Sequence, residues 1–124
     1  MEYTFSGVYE IKSDGKCRYA LPERWLKNFC QKFWIYPYHK GNYIISSADK
    51  LNGYLDLLAS AEDGEVQSFF ATVKSKIFQV EVDSQGRIFL PDFKGLVIFS
   101  GKGDYIEILP NKNSGDESNY ETCA

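Results

Sequence analysis

The chain has 124 residues, enough to bury one core but too few for two independent ones. Its hydrophobic content of 44% is that of a soluble globular protein, and its longest unbroken apolar runs, Phe33–Tyr36 and Leu96–Phe99, are far shorter than a membrane span. The net charge of −3 argues against a nucleic-acid partner only as an average: Lys12, Lys16, Arg18, Arg24, Lys27, Lys32 and Lys40 face only Asp14 and Glu23 over the same stretch, and a locally basic surface takes phosphate even on an acidic chain.

Other residue types narrow the class further. Cys17, Cys30 and Cys123 are odd in number and lack a C-x-x-C spacing, which predicts no disulfide framework and suits a reducing compartment. With His39 as the single histidine, the ligands for a structural zinc are missing, so no metal and no cofactor are expected. Glu2 stands where a secretory leader carries positive charge, and no apolar stretch follows it; the expected location is the cytoplasm.

Along the chain, Val8–Lys12 reads as a strand, and Ser13-Asp14-Gly15-Lys16 is turn chemistry, with Asp capping its own turn and Gly accepting positive φ. Pro22 suits the first position of a helix whose apolar face is Trp25, Leu26 and Phe29. A glycine hairpin follows around Lys40-Gly41-Asn42-Tyr43-Ile44. Then Leu51, Tyr54, Leu55 and Leu58 recur at helical spacing behind Ser47 as N-cap, and Val66, Phe69, Phe70 and Val73 repeat the pattern after a break at Glu62-Asp63-Gly64. From Ile77, Phe78, Val80 and Val82 alternate as one face of a strand, and Asp83-Ser84-Gln85-Gly86 forms a second tight turn. From Asn111 to Ala124 the composition is polar and acidic, and disorder is expected.

These elements form two copies of one unit. At an offset of 69, Val8–Asp14 aligns with Ile77–Asp83, Arg18 with Arg87, Leu21 with Leu90 and Pro22 with Pro91. At an offset of 62, Lys40-Gly41-Asn42-Tyr43-Ile44 aligns with Lys102-Gly103-Asp104-Tyr105-Ile106. A seven-residue deletion after the second proline reconciles the two offsets and reduces the helix of the second copy to a single turn. Residues 1–110 are therefore expected to be one pseudo-symmetric domain: first repeat 5–47, helical insert 48–76, second repeat 77–110, then the tail 111–124.

Each copy carries Asp-x-x-x-Arg followed by x-x-Leu-Pro, as D14-GKC-R18-YALP and D83-SQG-R87-IFLP. In this respect the sequence resembles the MraZ family, whose members carry two AbrB-type half-domains. The resemblance implies an α+β, mainly β fold, a double-split β-barrel with a helical insert. It also implies a ring-like homo-oligomer that binds double-stranded DNA, namely short repeats upstream of the division and cell-wall gene cluster. Such proteins are nucleoid-associated transcriptional regulators, usually repressors. The DNA-facing residues it implies are Asp14, Lys16 and Arg18 in the first copy and Asp83 and Arg87 in the second.

The physics of the motif suits that role. An Asp four residues before an Arg across a tight turn orients the guanidinium, and a planar fork held in place takes a phosphate or a guanine edge bidentately. Lys16 would add a phosphate contact without base discrimination. Cys17 stands where the family has Gly, which predicts an altered first turn with Gly15 supplying the freedom, and Gln85 replaces the family's Lys. No nucleophile elbow, zinc-protease helix or Walker lysine is present, so neither an enzyme nor a small-molecule substrate is expected. The alternatives are an AbrB-like antitoxin, for which the tail offers few apolar anchors, and an oligomeric scaffold that binds no DNA.

Overall fold

The computed structural model describes residues 5–29, 32–38, 41–91 and 93–110; the tail expected to be disordered lies outside them. In chain order the elements are β1 (Val8–Lys12), β2 (Arg18–Ala20), α1 (Glu23–Leu26), β3 (Phe33–Pro37), β4 (Tyr43–Ser46), α2 (Ala48–Ala59), α3 (Gly64–Ser75), β5 (Phe78–Val80), β6 (Arg87–Phe89), β7 (Leu96–Gly101) and β8 (Ile106–Pro110). The fold is mainly β with short helices. Six strands form one antiparallel sheet in the order β1-β7-β8-β4-β3-β5, and β2 and β6 form a separate two-stranded ribbon. The larger sheet is open, with β1 and β5 as its edges.

This order carries the repeat into three dimensions. If β1 is exchanged with β5, β3 with β7 and β4 with β8, the sheet reads the same backwards. The first strand of each copy pairs with the hairpin of the other, β1 on β7 and β5 on β3, while β4 and β8 meet at the centre. In the ribbon Tyr19 pairs with Ile88, residues related by the sequence offset of 69, so a local two-fold passes through that pair.

Alternation along the strands sends side chains to two faces. One face of the sheet, with Ile35, Ile45, Phe99 and Ile106, packs on Tyr19 and Ile88 of the ribbon and on Trp25. The other face, with Tyr36 and Ile44, is covered by α2 and α3 through Leu51, Leu58 and Val73. The first helix is capped as expected, Ser47 Oγ accepting from the backbone N–H of Lys50; the break before the second supplies its cap as well, Asp63 Oδ1 accepting from the backbone N–H of Glu65.

Two expectations require correction. The helix after Pro22 is one turn of four residues, Glu23–Leu26, and Pro22 is its N-cap rather than its first residue. Beyond it the chain tightens through bonds from Asn28 N–H to Trp25 O and from Phe29 N–H to Leu26 O, which still bring Phe29 to the core. Cys17 is disulfide-bonded, its partner lying outside the described residues, so the cysteines are not all free and no longer argue for a reducing compartment. Among the described residues no helix is long and apolar enough to cross a membrane.

The N-terminal segment is fastened by Phe5, which exchanges two backbone bonds with Gly103 at 2.7 and 2.8 Å. Gly101 makes this approach possible, since a Cβ there would lie 2.5 Å from the Phe5 carbonyl carbon. The Phe5 ring meets Trp25 edge to face at 5.7 Å, and Trp25 Nε1–H donates to Ser6 O at 3.0 Å. Trp25 is fully buried, so Trp25→Ala should cost about 3–5 kcal/mol through lost contacts and an unfilled cavity. Urea denaturation measures this as a lowered midpoint at unchanged slope.

Candidate functional site

The five residues that the resemblance implies lie in the two turns that lead into the ribbon and at the first positions of its strands. In the first turn Asp14 Oδ1 accepts the backbone N–H groups of Lys16 (2.8 Å) and Arg18 (3.0 Å). Its other oxygen, Oδ2, accepts Arg18 Nε–H at 2.7 Å. The second turn repeats these bonds: Asp83 Oδ1 accepts Gln85 N–H (2.8 Å) and Arg87 N–H (2.9 Å), and Oδ2 accepts Arg87 Nε–H (3.0 Å). Backbone bonds from Asp14 N–H to Arg18 O and from Asp83 N–H to Arg87 O close the two loops.

Each turn requires a left-handed residue just before its arginine. In the second copy this is Gly86 (φ 79), where a Cβ would lie 2.9 Å from Leu26 Cδ1. In the first copy it is Cys17 (φ 58), and Gly15 does not take the positive φ expected of it. The Gly-to-Cys departure therefore leaves the turn unaltered. A cysteine in this region carries a strain of about 1–2 kcal/mol, held by the surrounding bonds. Cys17 O accepts Leu90 N–H at 3.0 Å, and Gly86 O accepts Leu21 N–H at the same distance.

Pairing of β2 with β6 brings the two turns together. Arg18 lies opposite Phe89 and Arg87 opposite Ala20. Since Tyr19 and Ile88 point into the core, the outer face of the ribbon presents Arg18, Ala20, Arg87 and Phe89. Both arginine side chains are partly exposed, and Arg87 Nη1 also reaches Asp14 Oδ2 at 3.6 Å. Lys16 is exposed at the tip of the first turn. One residue of this surface escaped the sequence reading: Phe89, 48% exposed. Its signal was the period-two alternation that places it on the same face as Arg87 in R87-IF.

The arrangement holds charge in place. Backbone N–H bonds from Arg18 and Lys16, ahead of the guanidinium itself, hold the Asp14 carboxyl down to about pKa 2, and the same kinds of bond from Arg87 and Gln85 lower that of Asp83. With Nε committed to a carboxylate, each guanidinium is fixed in direction. Among the described residues no three His, Cys, Asp or Glu side chains gather as metal ligands. The chain matches no protein-family model and no curated protein sequence.

The lowered pKa of Asp14 sets the direction of a pH effect. A carboxyl held below its ordinary 3.8 contributes stability that is fully present above that value and is lost as pH falls to about 2. Melting temperatures measured from pH 7 to pH 2 should therefore show Asp14→Asn less stable than the natural chain above pH 4, with the gap closing between pH 4 and 2. A gap that does not change with pH would show that the carboxylate charge plays no part.

Proposed function

We propose that this chain is a sequence-specific DNA-binding transcriptional regulator resembling the MraZ family, and that its β2–β6 ribbon is the surface that meets the duplex. The observation that carries the reading is the pairing that sets two Asp-oriented, partly exposed arginines diagonally across one face of the ribbon. A two-stranded ribbon fits the major groove, where an arginine fork takes O6 and N7 of guanine and an apolar side chain such as Phe89 meets a thymine methyl group. Lys16 then contacts phosphate and positions the ribbon. The role of repressor, the target upstream of a division and cell-wall cluster, and association with the nucleoid follow from the resemblance.

The finer architecture belongs to the same proposal. Strand exchange between the copies supports a double-split β-barrel, with the ribbon closing over the larger sheet. The open edges β1 and β5, together with Val8 exposed on β1, support assembly into a homo-oligomer. A second reading rests on a specific observation: Asp14 pairs with both Arg18 and Arg87, so the cluster could serve only to brace the two turns in an oligomeric scaffold that binds no DNA.

Fluorescence anisotropy with duplex DNA from the chain's own upstream region separates the two readings. Affinity should fall linearly with the logarithm of salt concentration, and Arg18→Ala should weaken binding by about 1–3 kcal/mol with its melting temperature retained. Lys16→Ala should lower affinity for all sequences alike and reduce the salt slope by about one. Early melting of Arg18→Ala favours the brace, and a natural chain without salt-dependent binding overturns the regulator.

Light scattering at micromolar concentration should find an assembly larger than a dimer. A monodisperse monomer would count against the ring.

A further inference from the structure

On the sheet face away from the ribbon, α2 crosses β3 and β4 and leaves a cleft of about 370 Å³, within the range of small-molecule sites. Its walls are four tyrosines: Tyr36 and Tyr38 from β3 and the residue after it, Tyr54 from α2, and Tyr105 from the turn before β8. The Tyr54 ring lies against Tyr36 at 5.6 Å and Tyr38 at 5.5 Å. These rings are held: Tyr54 donates its hydroxyl to Tyr38 O at 2.9 Å, and the Tyr36 hydroxyl shares a 2.8 Å bond with Ser46 Oγ. Burial pushes the Tyr54 hydroxyl up to about 12 and that of Tyr36 upward, so the walls stay uncharged at neutral pH.

Two residues of α2 on the rim have no explanation within the fold. Gly53 stands inside a twelve-residue helix, where glycine is unfavourable, yet a Cβ there would meet nothing within 4 Å. No turn and no close neighbour requires it; its effect is to leave space at the mouth of the cleft. One turn further on, Leu57 is 68% exposed beside the same opening. The charged group of the lining is Lys50, whose Nζ sits 4.5 Å from the centre of the Tyr105 ring. Of the carboxylates that act on Tyr105, Glu107 accepts from Asn42 and lies 3.9 Å from Lys102, and Asp104 is exposed.

We propose that this cleft binds a small planar aromatic anion of the aryl carboxylate class, its ring against the tyrosines and its carboxylate on Lys50. The tyrosine rings supply flat apolar contact, for which offset or edge-to-face packing of a planar ring is favourable. Lys50 selects the sign of the charge: a ligand ammonium would meet the lysine already placed over Tyr105, whereas a carboxylate gains a charge-assisted bond from it. The site lies on the opposite side of the sheet from the ribbon, so its occupancy is measured without DNA.

The test is calorimetric titration of the full chain with 2-naphthoate, the neutral 2-naphthamide and the cationic 2-naphthylmethylammonium. Naphthoate should bind saturably and about tenfold more tightly than naphthamide, with the ammonium weakest. Lys50→Met should lose that tenfold preference while keeping its melting temperature. Gly53→Leu should remove naphthoate binding at a melting temperature equal to or above that of the natural chain, because glycine is the poorer helix former. Absence of saturable naphthoate binding, equal binding of naphthamide, tighter binding of the ammonium, or an unchanged preference in folded Lys50→Met would each overturn the proposal.

Discussion

The structure depends on a reciprocal exchange of backbone bonds across a local two-fold. Leu21 N–H reaches Gly86 O, and Leu90 N–H reaches Cys17 O, each at 3.0 Å. These bonds join the residue after each ribbon strand to the left-handed residue before the other. Neither copy can close its turn and ribbon alone, because the acceptor for each leucine belongs to the other copy. The same dependence governs the larger sheet, where each copy's first strand completes the other's hairpin. A strand as short as β2 or β6, three residues, is marginal by itself. Its stability comes from Tyr19 and Ile88, both fully buried beneath it.

That exchange also explains how two turns of different sequence keep one geometry. Asp14 and Asp83 each satisfy two backbone N–H groups and one guanidinium, so the turn is specified by its first and last residues. What lies between varies, Gly-Lys-Cys in one copy and Ser-Gln-Gly in the other. The penultimate position must adopt positive φ in both. Glycine does so freely. Cysteine does so because Asp14 and Leu90 hold the peptide on either side of it.

The two copies differ most where their surroundings differ. The insert α2–α3 follows the first copy and covers the outer face of β3 and β4, converting Tyr36 and Ile44 into core. The second copy continues from β8 into a stretch outside the described residues, and Val8 on the neighbouring edge strand is 68% exposed. In the charged cluster the symmetry is also incomplete: Asp14 faces both arginines, while among the described residues Asp83 faces only Arg87. Carboxylates and guanidinium groups balance there, so direction rather than excess charge is what the cluster supplies. Excess positive charge comes from Lys16 at its margin.

Much of this was legible in the sequence because it is written in short-range terms. The Asp-x-x-x-Arg turns, the Ser47 helix cap and the alternation of β5 depend on neighbours within about four residues. The repeat itself needed only self-comparison. The sequence could not show that the copies interleave, because that interleaving is set by contacts more than forty residues apart, as in Tyr9 opposite Phe99 and Ile35 opposite Phe78. Nor could it show that α1 stops after four residues, since Trp25 is drawn to Phe5 and Ser6 and the chain must then turn toward β3. Local chemistry determined the two turns and the Ser47 cap, while the five candidate residues in and beside those turns came from the resemblance. Tertiary structure decided that Phe89 joins them, that Cys17 adopts a glycine's conformation, and that four tyrosines from separate parts of the chain line one cleft. For Cys17, held by Leu90, and for the cleft the deciding contacts come from segments that no local pattern brings near.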